Sequence, residues 1–416
     1  MPIRTILVLN AGSSSIKFAL FSCPEGTAKN ANVEPTCTPL HQGEVSGIGT
    51  KPVLRIDGGL LDAPPYSQRN PWRAALGAIL EWVDAMRHDI VVVAVAHRVV
   101  HGGAHHMAPV VVDALVFDEL CTLIPLAPLH QPHNIDAIDA MRHALPGIPQ
   151  IAVFDTSFHQ TLPRVEQLLP LPREWFDAGV RRYGFHGLSY EYLSIAIADR
   201  FGAPARGRVI AAHLGNGASL CAMLAGQSVA STMGFSALDG LMMGTRSGSL
   251  DPGVVLHMME ARGMSHRDMG RLLYEEAGLK GVSGYSSDVR DLLGHEASDE
   301  RARDALALYV HRIVREAGAL TALLGGLDML VFTAGIGEHC APIRTRVCAA
   351  LRWLGVEIDE QANANNAHVI STASSWVTVV VEPTNEEWIA ARSAWRLLDR
   401  SRTADPGSPR MLSSPA

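Results

Sequence analysis

Three short turns rich in glycine and serine stand directly behind apolar runs. They are Asn10-Ala-Gly-Ser-Ser-Ser15, His213-Leu-Gly-Asn-Gly217 and Gly335-Ile-Gly-Glu338. Small side chains let an anion approach the main chain, whose N–H groups can then converge on phosphate oxygens. Singly, each turn reads more readily as an ordinary tight turn, because Gly and Ser are generic turn formers. Jointly they point to a polyphosphate. None fits the P-loop or the Rossmann glycine pattern, and the protein-kinase signature set is absent, so a nucleotide would be held in another fold. Cationic groups accompany the turns. Arg98, in His97-Arg-Val-Val-His-Gly-Gly103, follows an apolar run and falls at a strand end, where α/β folds place ligand contacts. Arg246, in Leu241-Met-Met-Gly-Thr-Arg-Ser-Gly-Ser249, is embedded among small residues that leave its guanidinium reachable.

Other groups carry two readings. His97, His101, His105 and His106 invite a zinc site, yet the Gly102-Gly103 break prevents a regular helix and no thiolate or carboxylate completes the set. Asp155, in Phe154-Asp-Thr-Ser-Phe-His159, follows a strand and is either a functional carboxylate or a helix N-cap. His186 sits between aromatic and glycine neighbours in Tyr183-Gly-Phe-His-Gly187, where a lone histidine is more often structural. Asp251-Pro252 reads as an N-cap followed by a proline at the first helical position. Thr384-Asn-Glu-Glu387 satisfies a capping box with Glu387 at N3, which leaves Glu386 to hold magnesium through water.

The elements that position these groups alternate between short β-rich runs and helical patterns, an α/β arrangement with open, mixed sheets. Strands are expected near 3–9, 15–21, 90–96, 151–154, 208–214, 219–225, 329–333 and 377–381. Helices are expected near 72–88, 131–144, 189–201, 252–262, 266–277, 300–324, 342–353 and 386–398. Segment 23–70, rich in Pro, Gly, Asn and Thr, reads as a decorating excursion from the first domain rather than core. Ile6 and Val209 each open a strand, a small-residue turn and a second strand, which suggests a duplicated domain with a cleft between the copies.

The 416 residues, 47% hydrophobic and 19% charged, suit two globular cores. A net charge of −7 offers no general attraction to nucleic acid or anionic membrane. The longest apolar run, Ile90 to Ala96, is far short of the ~20 residues of a membrane-spanning helix. The N-terminus lacks a signal-peptide pattern, and the six cysteines form no CxxC pair, so a cytoplasmic protein with reduced thiols is expected.

The runs LNAGSSSIKF, HRVVHGG, PLAPLH, FDTSFH, YGFHG, HLGNGAS, GLMMGTRSGSLDP, SGYSSDVRDL, FTAGIGE and PTNEE, in this order and nearly end to end, resemble the acetate and butyrate kinase family. That family lies within the sugar kinase, heat-shock ATPase and actin superfamily. The resemblance implies duplicated actin-like (ribonuclease H-like) ATPase domains with a central cleft. The first would span 1–155, with helix 386–400 packing back; the second, 156–385, would bind nucleotide and dimerise. From its Ser- and Pro-rich composition alone, 403–416 reads as a disordered tail. The implied reaction is reversible transfer of the ATP γ-phosphoryl group to acetate, with propionate or another short-chain acid as the alternative. Mg²⁺, or Mn²⁺ in its place, would sit near Asn10 and Glu386, and Lys17 would contact nucleotide phosphates.

By the same resemblance Arg98 would hold the substrate carboxylate, and Val100, Leu129 and Phe185 would line the acyl pocket. Asp155, His186 and Arg246 would be catalytic. His213, Leu214, Gly215, Asn216 and Gly217 would form a phosphate loop. Asp288, Val289 and Arg290, with Gly335, Ile336, Gly337, Glu338 and His339, would surround the adenosine part of ATP or ADP. The family also implies a homodimer. The chain departs from the family's usual pattern at Gln131, at Tyr190, in Phe235 to Gly240 and at His339. Ala237 stands where a proline is usual, which enlarges the acyl pocket and predicts use of propionate. Two readings of other classes remain: a nucleotide-driven binding module without catalysis, and a zinc hydrolase.

Overall fold

The computed structural model describes residues 1–12, 14–24, 35–61 and 70–403. The chain divides into two compact units. One comprises Met1–Gly102, Ala108–Phe154 and Glu386–Ala416; the other comprises Gly103–Met107 and Asp155–Asn385.

The first unit is built on β1 (Ile3–Ala11), β2 (Ser15–Ser22), β3 (His41–Ser46), β4 (Val53–Ile56), β5 (Gly59–Leu60), β6 (Ile90–Val99), β7 (Val110–Val111) and β8 (Gln150–Phe154). Their order in the sheet is β5-β4-β3-β2-β1-β6-β8-β7. β1 and β2 are antiparallel, whereas β6 runs parallel to β1 and β8 parallel to β6. Strand side chains alternate between faces. Leu7, Leu9, Phe18 and Leu20 therefore bury one face, under helix Pro71–Ala85 and part of helix Gln131–Ala144. Helix Pro71–Ala85 starts where Asn70 accepts a hydrogen bond from the N–H of Arg73 at 2.9 Å, with Pro71 at the first helical position. The C-terminal helix Glu386–Thr403 packs against β1 and β6.

The second unit repeats the scheme with β9 (Arg208–Leu214), β10 (Ala218–Leu224), β11 (Gln227–Ser231), β12 (Met329–Thr333) and β13 (Thr378–Val381). The order β11-β10-β9-β12-β13 matches β3-β2-β1-β6-β8 of the first unit, with an antiparallel hairpin followed by two parallel strands in each. Helix Gly187–Phe201 buries Tyr190, Leu193 and Ile197 against Val209, Ala211 and Val331. Helix Glu300–Leu324 is capped by Asp299 and ends on left-handed Gly325. The duplicated actin-like fold expected from the sequence is the fold found.

Segment 23–70 is not mere decoration. Its residues 41–60 supply β3 to β5, and Val45, Leu54 and Ile56 join the core. Residues 25–34 and 62–69 of that segment, and 404–416 of the expected tail, lie outside the described residues. The capping box at Thr384 does not form. The helix begins at Glu386, and buried Thr384 Oγ1 has no hydrogen-bond partner among the described residues.

Candidate active site

In the first unit, sheet register brings the expected metal and carboxylate groups together. Leu9 pairs with His97 and Asn10 with Lys17, so Asn10, Lys17 and Arg98 share a face. Arg98 Nη1 donates to Asn10 Oδ1 at 2.9 Å, and Arg98 Nε lies 3.6 Å from Glu386 Oε2. Lys17 is exposed, and with Arg98 it draws down the carboxyl of Glu387, which burial and the neighbouring Glu386 push up. The Glu386 carboxylate and the Asn10 amide oxygen are hard donors of the kind that suit Mg²⁺ held partly through water.

The first turn of helix Gln131–Ala144 grips this site from behind. Asn134 accepts from the Val100 N–H at 3.0 Å and donates through Nδ2 to the Ala11 carbonyl at 2.9 Å. Gln131 clasps His101 by its main chain in both directions, each bond 3.2 Å long. Val100 is buried and Leu129 half-buried. Neither Gln131 nor Asn134 was singled out for a role, although both stand beside the quoted PLAPLH run.

The histidines near Arg98 are core groups. His97 Nε2 donates to Gln150 Oε1 at 2.8 Å, and burial lowers His97 and His101 to about 4 each. Among the described residues no three His, Cys, Asp or Glu side chains gather as a metal centre.

In the second unit, His186 occupies the N-cap of helix Gly187–Phe201 at φ 57, left-handed for a residue with a side chain, and such strain gathers at functional sites. Its ring stacks on His213 with centroids 4.1 Å apart. Serine hydroxyls meet both rings: Ser219 Oγ lies 2.8 Å from His186 Nδ1, and Ser189 Oγ 2.9 Å from His213 Nδ1. Phe185 is buried, and its carbonyl accepts from His159 Nε2 at 2.9 Å. Burial lowers His159 to about 4, so a neutral imidazole holds this turn, with Nδ1 turned to Ser228. Asp155 is buried and is not the N-cap of the short helix Ser157–Thr161, which Thr156 precedes; the Asp155 carbonyl accepts from the Gly187 N–H at 2.9 Å. Asp251 does cap its helix, accepting from Gly253 at 2.8 Å.

Arg246 is fixed by donating from Nη1 to the Ala237 carbonyl at 2.8 Å. Its loop closes through a hydrogen bond from the Ser249 N–H to the Gly240 carbonyl, 2.9 Å. Gly217 shows where these groups aim. A Cβ built there would lie 3.3 Å from His186 Nε2 and 3.3 Å from Arg246 Nη2, so two nitrogen donors flank one bare main-chain face.

The other side of the same turn borders a cavity of about 390 Å³ lined by Gly215, Asn216, Ser287, Asp288, Val289, Arg290, Gly335, Ile336, His339 and Cys340. Asp288 caps the helix that opens at Val289 and pairs with Arg290 at 2.8 Å, which holds the Asp288 carboxyl below the usual range. Glu338 turns instead to the main chain, accepting from Ala334 at 2.8 Å. The Gly337 and Glu338 carbonyls receive the fully buried Arg344 at 2.8 and 2.9 Å. Leu214 and His213 are buried without lining the cavity. Ser287 and Cys340 adjoin expected residues but had no signal of their own.

A nucleotide-sized cavity, a turn shared with two cationic or donating side chains, and an actin-like scaffold suit phosphoryl transfer from a nucleotide. The sequence matches the Acetokinase family over residues 5–392. The chain is 49% identical over 404 residues to an acetate kinase of Rhodopseudomonas palustris, covering 95% of this chain and 99% of that one. It is 48% identical to an acetate kinase of Methylocella silvestris, covering 96% and 100%. Among solved structures it resembles a propionate kinase from Francisella tularensis, with a TM-score of 0.83, 34% identity and 94% and 99% of the two chains covered. The acetate kinase of Porphyromonas gingivalis gives 0.80 and 36%, with 95% and 100% covered.

Proposed function

The chain belongs to the acetokinase family, and from that premise we propose that it transfers the γ-phosphoryl group of ATP reversibly to acetate, giving acetyl phosphate and ADP. The observation that carries this reading is the convergence of His186 and Arg246 on Gly217, in a turn that also walls the cavity.

Acetate has a pKa near that of Glu and is ionised at pH 7, so its oxygen attacks without a general base. The barrier lies in bringing an anion onto a polyanion, which calls for positive charge and in-line placement. Arg98, its guanidinium plane set by Asn10 and Glu386, binds the carboxylate. Arg246 and His186 donate to the equatorial oxygens of the phosphoryl group as charge spreads over them. Asp155 orients this constellation through its turn against Gly187. The cavity takes the nucleoside part of ATP, with Asp288, Val289, Arg290, Gly335, Ile336 and His339 around it. Lys17 and the His213 to Gly217 turn contact its phosphates. Asn10 and Glu386 would hold Mg²⁺, which neutralises phosphate charge when bound.

Propionate is the second reading, favoured by Ala237 in place of a proline ring. Val100, Leu129 and Phe185 are proposed to meet the alkyl group. Incubation with ATP, Mg²⁺ and acetate, propionate or butyrate, followed by hydroxylamine, yields hydroxamate if the reading holds. Folded protein that forms none with any of the three acids refutes it.

The protein acts as a homodimer in the cytoplasm. Helix Pro252–Arg262 buries none of its residues and exposes Val254, Leu256 and Met259, an apolar surface that asks for a partner. Among the described residues no helix is long and apolar enough to cross a membrane. Sedimentation of the pure protein at the single-chain mass would overturn the dimer.

A further inference from the structure

His186 presents Nε2 toward Gly217, so the ring nitrogen that carries the proton decides whether this side chain donates or accepts there. Nδ1 lies 2.8 Å from Ser219 Oγ, which in turn bonds Tyr190 Oη. Ser219 and Tyr190 are both fully buried, so their hydroxyl protons must go to protein acceptors. The Tyr190 oxygen also takes a hydrogen bond from the main chain of His213, and burial keeps the phenol protonated by pushing it well above its ordinary value. Tyr190 therefore has one O–H to give, and Ser219 Oγ is the acceptor that receives it. The Ser219 proton then passes to its remaining partner, His186 Nδ1. The reverse direction would strand the Tyr190 O–H in the core.

We propose that Tyr190 and Ser219 are positioning residues that fix His186 as the neutral tautomer with its proton on Nε2, a hydrogen-bond donor rather than an imidazolium. The groups that face His186 agree with a neutral ring. His213 stacks on it, and the Arg246 guanidinium shares the Gly217 face, where it opposes a further positive charge. Asp155 adjoins through the Gly187 N–H, which its main-chain carbonyl accepts. A neutral donor beside Arg246 stabilises charge developing on a phosphoryl oxygen without holding the ground-state anion as tightly as a second cation would.

The proposal rests on the phosphoryl-transfer reading only for what His186 donates to; the tautomer itself is measured without substrate. Enzyme labelled with ¹⁵N-histidine is compared with Tyr190→Phe and Ser219→Ala. The wild type shows His186 with an unprotonated Nδ1 and a protonated Nε2 through about pH 5.5 to 8, on either side of the ordinary histidine pKa of about 6.5. Both variants show signals averaged over the two tautomers. Their kcat falls about tenfold, less than the roughly 10²- to 10⁴-fold of a proton-donating group lost outright, while KM for ATP and acetate changes less than about twofold. A proton on Nδ1 in the wild type overturns the proposal. So do His186 signals unchanged in the variants, the outcome of a purely structural role. Ser219→Ala removes a single oxygen and carries the test if Tyr190→Phe does not fold.

Discussion

Arg246 donates from one terminal nitrogen to the Ala237 carbonyl, and its other terminal nitrogen faces Gly217. Arg246→Ala removes a cationic contact made most strongly in the transition state, so kcat is expected to fall about 10³-fold in steady-state assays. A change confined to KM would assign it to ground-state binding instead. Ala237 of the same loop belongs to the proposed acyl pocket. Restoring a ring with Ala237→Pro shrinks the acyl pocket, and one buried methylene is worth about 0.8 kcal/mol, a few-fold in affinity. The acetate-to-propionate ratio of kcat/KM should therefore rise several-fold, from a wild-type value within about tenfold of unity. An unchanged ratio removes Ala237 from the pocket. Residues of this kind were legible in the sequence because glycine-rich surroundings advertise reachable cations. His159, Gln131 and Asn134 were not, since a buried polar side chain that clasps main chain leaves no spacing pattern.

At the scale of elements, the apolar runs and caps marked every strand that carries a proposed group, together with helices such as Pro252–Arg262 and Glu300–Leu324. They missed β3 to β5, whose sequences HQGEVS, VLRI and GL are short and half polar, as outer strands of a sheet are. They also misplaced the cap at Thr384, because a motif match says nothing of where the preceding chain can turn. The contact of Asp155 with the start of helix Gly187–Phe201 was likewise invisible, being made between segments distant in sequence. A Cβ on Gly187 would overlap the Asp155 carbonyl. Gly187→Ala should consequently break the Gly187–Asp155 hydrogen bond, displace His186 and destabilise by about 1–3 kcal/mol, the scale of overpacking. Thermal unfolding and kcat together check this. A variant with wild-type Tm and kcat would mean that the turn yields freely.

The whole molecule carries buried histidines at about 4 in both units, His97 and His101 in the first and His159 in the second. Each is neutral when folded and takes up a proton near pH 6.5 when unfolded, so the unfolded state binds more protons and stability falls with pH between about 6.5 and 4. The steepest slope is roughly 1.4 kcal/mol per pH unit for each histidine. Burial raises Glu387 in the first unit and Glu382 in the second, and their protonation on folding offsets part of this loss. Among the described residues for which this shift is resolved, two such histidines lie in the first unit and one in the second, so the first unit should lose structure at the higher pH, as hydrogen exchange along the chain would report; simultaneous loss would contradict it. The discontinuity of that unit bears also on biosynthesis. Residues Asp155–Asn385 of the second unit leave the ribosome as one uninterrupted stretch, whereas β1 and β6 wait for Glu386–Thr403, the last helix to be made. Translation at ~5–20 residues per second keeps the apolar side of β1 uncovered for more than ten seconds after it emerges. Nascent chains arrested before Glu386 should accordingly bind chaperones through their N-terminal segment and resist protease within Asp155–Asn385. Protection of β1 in such chains would show that another segment shelters it during synthesis.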